Sequence, residues 1–196
     1  MITKPNITLE PKEKGGEVTF QQSENPCVVV DVGDGNSCTI NNIRMILRGP
    51  NRDMNRTTFS VDMQFEREAN EKCMQEFFTH KPEEMYCIIL VRSGHLILNG
   101  CTLSVDGIYK DTYRKVPCVV ALPESSIELN KSNFKGDTMN EADTSGVLSI
   151  NAETVIKNCN FAHFLCGAIM IQALPQNKTY IAENQILSCS TAGIYI

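Results

Sequence analysis

Apolar and polar positions along the chain fall into a six-residue phrase that recurs five times: apolar, two turn residues, a small residue, any residue, apolar. The copies are Ile40-Asn41-Asn42-Ile43-Arg44-Met45, Leu98-Asn99-Gly100-Cys101-Thr102-Leu103, Leu129-Asn130-Lys131-Ser132-Asn133-Phe134, Ile156-Lys157-Asn158-Cys159-Asn160-Phe161 and Ile181-Ala182-Glu183-Asn184-Gln185-Ile186. Upstream of each lies a short β-prone run opened by a small residue, as in Cys27-Val28-Val29-Val30, Cys87-Ile88-Ile89-Leu90, Cys118-Val119-Val120-Ala121, Gly146-Val147-Leu148-Ser149-Ile150 and Gly167-Ala168-Ile169-Met170-Ile171, with Gly193-Ile194-Tyr195-Ile196 at the end. Runs rich in Val and Ile and bounded by Gly, Asn, Ser and Pro are strand signals. One unit therefore reads as strand, loop, second strand, two-residue corner and short third strand. The phrases start at 40, 98, 129, 156 and 181, and so lie 58, 31, 27 and 25 positions apart. The later spacings are those of a solenoid repeat.

Period-two alternation places Ile127, Leu129 and Phe134 inward and Glu128, Lys131 and Asn133 outward. Stacking the copies predicts two apolar ladders: Ile40, Leu98, Leu129, Ile156, Ile181 and Met45, Leu103, Phe134, Phe161, Ile186. Between them runs a column of mostly small residues, Ile43, Cys101, Ser132, Cys159 and Asn184. The second corner position, Asn42, Gly100, Lys131, Asn158 and Glu183, calls for positive φ, which Asn and Gly adopt readily and Lys and Glu resist. No single unit buries its apolar face alone; the stack makes the core.

The phrase and the Gly-apolar-x-Ile strand starts resemble the right-handed parallel β-helix, the pectin-lyase-like superfold. The closest likeness is to the intracellular carbohydrate-binding and sugar-hydrolase-type repeats of some F-box ubiquitin-ligase subunits and of SHC SH2-domain-binding proteins. Residues 27–48 and 86–196 carry the resemblance, most clearly Asn158-Cys159-Asn160-Phe161 through Gly167-Ala168-Ile169-Met170-Ile171. It implies an all-β right-handed parallel β-helix of about five to six coils, and partners in ubiquitin-ligase substrate recognition or in cytoskeletal and signalling assembly.

Residues 1–26 read as an incoming coil, with Ile7-Thr8-Leu9 and Val18-Thr19-Phe20 as strands. Residues 49–85 break the pattern. There Val61, Phe65, Ala69, Cys73 and Phe77 recur at four-residue spacing, with Met74 and Phe78 beside them, which predicts an amphipathic helix inserted between coils. Ser60 fits its N-cap and Pro82 lies past its end. Either this helix covers its own coil or it is a docking element for a partner. The chain is one expected domain, 1–196, cut from a longer protein. Its last residues open a further strand, so the exposed edge there needs more chain or another subunit to cover it. The expected partner-binding residues are Phe59, Phe65, Phe77 and Phe78 in the insertion, and Ile194 and Ile196 at the edge.

Composition narrows the function. A formal net charge of −5 lacks the basic stripe that nucleic-acid binding needs. No apolar run approaches the ~20 residues of a membrane span, and no signal-peptide pattern opens the chain. Nine cysteines, five of them on repeat-equivalent positions, read as small buried hydrophobes of a reduced, cytoplasmic protein in a cytoskeletal or ciliary setting. Sequons at Asn6, Asn55, Asn130 and Asn177 are expected by chance in Asn-rich coils.

An enzyme on this fold would need a calcium-binding carboxylate cluster or a carboxylate pair. The candidates are Asp31, Asp34, Asp106, Asp111, Asp137 and Asp143. Asp31 and Asp34 lie among glycines and read as a solvated loop; Asp137 and Asp143 flank a polar loop with Glu141 between them, and spacing in sequence does not establish a catalytic pair. His80, His95 and His163 show no ligand spacing and read as polar surface residues. Tryptophan, the usual stacking partner of sugars, is absent. No catalytic residue, cofactor or metal ligand is therefore assigned. The expectation is a non-enzymatic scaffold for protein partners, and the second reading is a carbohydrate-active lyase or glycoside hydrolase.

Overall fold

The computed structural model describes residues 1–13, 17–21, 26–48, 78, 86–106, 115–137, 143–189 and 192–196. These residues form an all-β fold of seventeen strands, and every strand pairing among them is parallel. The arrangement is that of a β-solenoid, with strands from successive repeats stacked in register.

Three pairing series run along the stack. The first contains β3 (Val28–Asp31), the front half of β6 (Ile89–Asn99), β8 (Lys115–Ala121), β11 (Asp143–Ile150), β14 (Ile169–Gln172) and β17 (Ile194–Tyr195). The second contains β1 (Ile7–Leu9), β4 (Ser37–Asn41), the back half of β6, β9 (Ser125–Asn130), β12 (Glu153–Lys157) and β15 (Thr179–Ala182). The third contains β2 (Glu17–Gln21), β5 (Arg44–Arg48), β7 (Thr102–Asp106), β10 (Asn133–Lys135), β13 (Asn160–Ala162) and β16 (Gln185–Leu187). Strand β6 serves two series because it bends at Gly94, whose φ of 80° is open to glycine and strained for other residues.

The expected ladders are present. Leu129 lies between Leu98 and Ile156, and Phe134 between Leu103 and Phe161, as paired neighbours in register. All six are buried. The Phe134 and Phe161 rings stack at 4.7 Å, 7° from parallel, because identical residues on adjacent parallel strands face each other at one strand spacing. The corner rule holds at all five positions: φ is 56° at Asn42, 62° at Gly100, 49° at Lys131, 54° at Asn158 and 57° at Glu183. Lys131 and Glu183 accept a conformation their side chains disfavour, because the ladders on either side leave the chain no other way round the corner.

The small-residue column has a job that size alone does not explain. Cys101 Sγ and Cys159 Sγ donate to the carbonyls of Ile40 and Leu129 in the preceding repeat, at 3.2 and 3.4 Å. Ser132 Oγ accepts from the Cys101 amide, and Asn184 Oδ1 accepts from the Cys159 amide, at 3.1 and 2.8 Å. Thiol, hydroxyl and amide thus satisfy backbone groups at a buried corner.

The helix expected within 49–85 lies outside the described residues, apart from Phe78, which is helical.

Candidate functional site

Parallel stacking in register brings outward side chains of successive strands to about 4.8 Å from one another. On the second series this assembles a continuous polar network. Asn41 Nδ2 donates to Glu10 Oε1 at 2.8 Å, Asn99 Nδ2 to Asn41 Oδ1 at 2.9 Å, and Asn130 Nδ2 to Asn99 Oδ1 at 3.1 Å. Asn130 Nδ2 also reaches Glu128 Oε1 at 3.0 Å. The other oxygen of Glu128 lies 3.8 Å from His95 Nε2, and His95 Nδ1 lies 2.7 Å from Ser126 Oγ. An amide both donates and accepts, so an asparagine column propagates; the run ends where a carboxylate, which only accepts, terminates it. Glu128 only accepts, so in the tautomer with the proton on Nε2 that proton faces the carboxylate and Nδ1 accepts from Ser126.

By sequence His95 reads as a polar surface residue with no ligand spacing. The structure instead places it inside β6, paired with Ser126 on one side and Ser37 on the other. The signal was available: in the Leu98 and Leu129 phrases, the residues three positions before each starting leucine are His95 and Ser126.

The carboxylates do not converge. Asp31 accepts from Ser93 Oγ at 2.5 Å, Asp34 accepts from the Gly35 amide in an exposed turn, and Asp106 faces Arg48 at 3.7 Å. Asp137 is buried, Asp143 opens β11, and Asp111 lies outside the described residues. Among the described residues no group of three or more His, Cys, Asp or Glu lies close enough to hold a metal ion.

Of the expected partner-binding residues, Phe59, Phe65 and Phe77 lie outside the described residues. The other three are Phe78, Ile194 and Ile196. Phe78 stacks on Tyr195 of β17 at 5.8 Å; the sequence neighbours of Tyr195, Ile194 and Ile196, are 44% and 74% exposed. Phe78 also packs against an outward-facing column of the first series: Leu90, Val120, Leu148 and Met170. These four are fully buried although they point away from the interior. The first series is therefore apolar on both faces, which is why its runs read as unbroken hydrophobics rather than as alternation. Tyr180 and Leu187 extend the exposed apolar surface at this end of the stack. At the opposite end an apolar cavity of about 270 Å³ is lined by Met1, Ile2, Leu9, Val18, Cys27 and Ile43, among others.

Among the described residues seven cysteines are free: Cys27, Cys38, Cys87, Cys101, Cys118, Cys159 and Cys189. Burial pushes every one of these thiols up from its ordinary range, Cys27 to about 11 and Cys87 and Cys118 further. Cys87 is raised additionally by the neighbouring Cys27 and Cys118. The expectation of a fully reduced set is corrected at Cys166, which is disulfide-bonded. Cys73, the one further cysteine, lies outside the described residues.

No protein-family model, no curated protein and no solved structure matches this chain.

Proposed function

We propose that this chain is a right-handed β-helix of about six coils that serves as a scaffold for protein partners, docked through the end of the stack at β15, β16 and β17. The observation that carries this reading is the exposed apolar surface there. Ile194 is 44% exposed, while the positions in register with it deeper in the stack, Ile169, Val147, Val119 and Ile89, are buried, and the outward-facing Leu187 and Tyr180 beside it are 60% and 54% exposed. Each edge strand at that end presents backbone groups that accept a further strand by hydrogen bonding, supplied by more chain or by another subunit. Right-handed crossover is the expected hand for parallel strands joined this way. The resemblance to F-box and SHC SH2-domain-binding repeats points to ubiquitin-ligase substrate recognition or cytoskeletal assembly as the partner class. Seven free thiols suit a reducing, cytoplasmic setting, and the Cys166 disulfide weighs against it.

The test is sedentation-grade: analytical ultracentrifugation of the chain beside a Tyr180→Lys, Leu187→Lys double variant. Concentration-dependent association that the charges abolish supports an edge used for docking. A chain that stays monomeric with or without the charges, or that depolymerises polygalacturonate, overturns the scaffold reading.

A further inference from the structure

We propose that Ser126 is an activated nucleophile, with His95 as its general base and Glu128 as the positioning carboxylate, and that it takes acyl groups from small esters. This goes beyond the scaffold reading and does not depend on it.

A serine hydroxyl is a weak nucleophile unless an adjacent base takes its proton, and the arrangement to look for is nucleophile, base and orienting group in hydrogen-bond succession. Ser126 Oγ lies 2.7 Å from His95 Nδ1, within the reach required of a general base. The opposite ring nitrogen faces Glu128 at 3.8 Å. That carboxylate is itself fixed, because Asn130 holds its other oxygen at 3.0 Å and Asn99 accepts from Asn130 in turn. All of these side chains stand on paired strands, so their spacing is set by the ladder and not by a loop.

Ser37 supplies an internal comparison. It pairs with His95 from the opposite side, yet its hydroxyl lies 3.3 Å from Asn6 Oδ1, an amide oxygen that is no base at neutral pH. His95 and Glu128 are each about one-third exposed at the side chain, 34% and 37%, so a small ester can reach them. The amides of β9 are engaged in ladders with β6 and β12. The face therefore offers a nucleophile and a base without spare strand amides for an oxyanion, which slows both acylation and release and restricts the reaction to activated esters, whose good leaving group makes acylation the faster of the two steps.

With p-nitrophenyl acetate, Ser126 Oγ bonds to the acyl carbon while the bond to nitrophenolate breaks and that group leaves with the electron pair. The hydroxyl proton passes to His95 Nδ1 and from there to solvent. Neutral His95 then takes a proton from water as the water oxygen bonds to the acyl carbon, and returns it to Ser126 Oγ as the ester bond breaks, releasing acetate.

The experiment is stopped-flow nitrophenolate release with mass mapping of the adduct. Expected are a burst of one nitrophenolate per chain, acetyl on Ser126, and no burst in Ser126→Ala. His95→Gln should slow acylation about 100-fold, within the range for general-base catalysis. Ser37→Ala should behave as the parent. Glu128→Gln should lower the rate and displace its pH profile, a readout that loss of packing alone would not move. Folding of each variant is checked by its urea midpoint, and if one fails to fold, the parent's adduct map and pH profile decide. An unmodified Ser126 in the parent, or parent-rate acylation in folded His95→Gln, overturns the proposal.

Discussion

The buried thiols set how this protein responds to alkali. A thiol whose folded value is raised holds its proton where the unfolded chain has lost it, so folding is favoured fully below the ordinary value of 9.0 and weakens as pH rises beyond it. For Cys27 the window runs from 9.0 to about 11; for Cys87 and Cys118 the direction is the same. The urea midpoint should therefore fall between pH 8 and pH 10.5, and by less in a Cys118→Ala variant after its own cavity cost is subtracted at pH 8. A flat profile would mean that these thiols are not buried. The disulfide at Cys166 gives a second number. Denatured, unreduced protein should titrate seven thiols, the free set, and nine after reduction. Nine without reduction would place the chain in its fully reduced form.

At the scale of the element, the ladders carry the strands. Phe161 stacks on Phe134 and packs near Phe164 at 6.5 Å, and is 1% exposed. Phe161→Ala should cost about 3–5 kcal/mol and Ile156→Ala about 2–5 kcal/mol, as lost transfer energy plus an unfilled cavity, read from denaturant midpoints. Gly146 is needed for close approach: a Cβ there would sit 2.6 Å from the Ala168 carbonyl oxygen and 2.6 Å from the Phe161 ring. Gly94 is needed for its backbone: a Cβ would meet Val32 and lie 2.7 Å from the Gly33 carbonyl oxygen, at a φ of 80°. Gly94→Ala should lower the thermal midpoint more than Gly35→Ala, because Gly35 shares the positive φ, 72°, but has open space where Gly94 has backbone and side-chain atoms.

At the scale of the molecule, a solenoid with one covered face behaves differently from a bare one. Leu148 points outward yet is fully buried among Leu90, Val120, Met170 and Phe78. Leu148→Ala should cost about 2–5 kcal/mol, as an inner-core leucine would. Val155, which also points outward but on the polar second series, should cost far less when truncated. Equal, small effects at both sites would show that the outer column is not a second core. The same column carries Phe78 to Tyr195.

The sequence by itself determined the repeat, the two ladders, the corner positions and the inward and outward alternation. Those are local rules: φ limits at Asn42 or Glu183 and period two along β9 need no distant information. Tertiary structure alone decided what outward residues do. His95, Ser126 and Glu128 span two strands, and only the register between β6 and β9 makes them neighbours. Phe78 and Tyr195 are far apart in the chain, and no periodicity relates Phe78 to the strand it stacks on. Nor could composition show that one cysteine is bonded and seven are free, since pairing depends on the distance between sulfurs and not on their number.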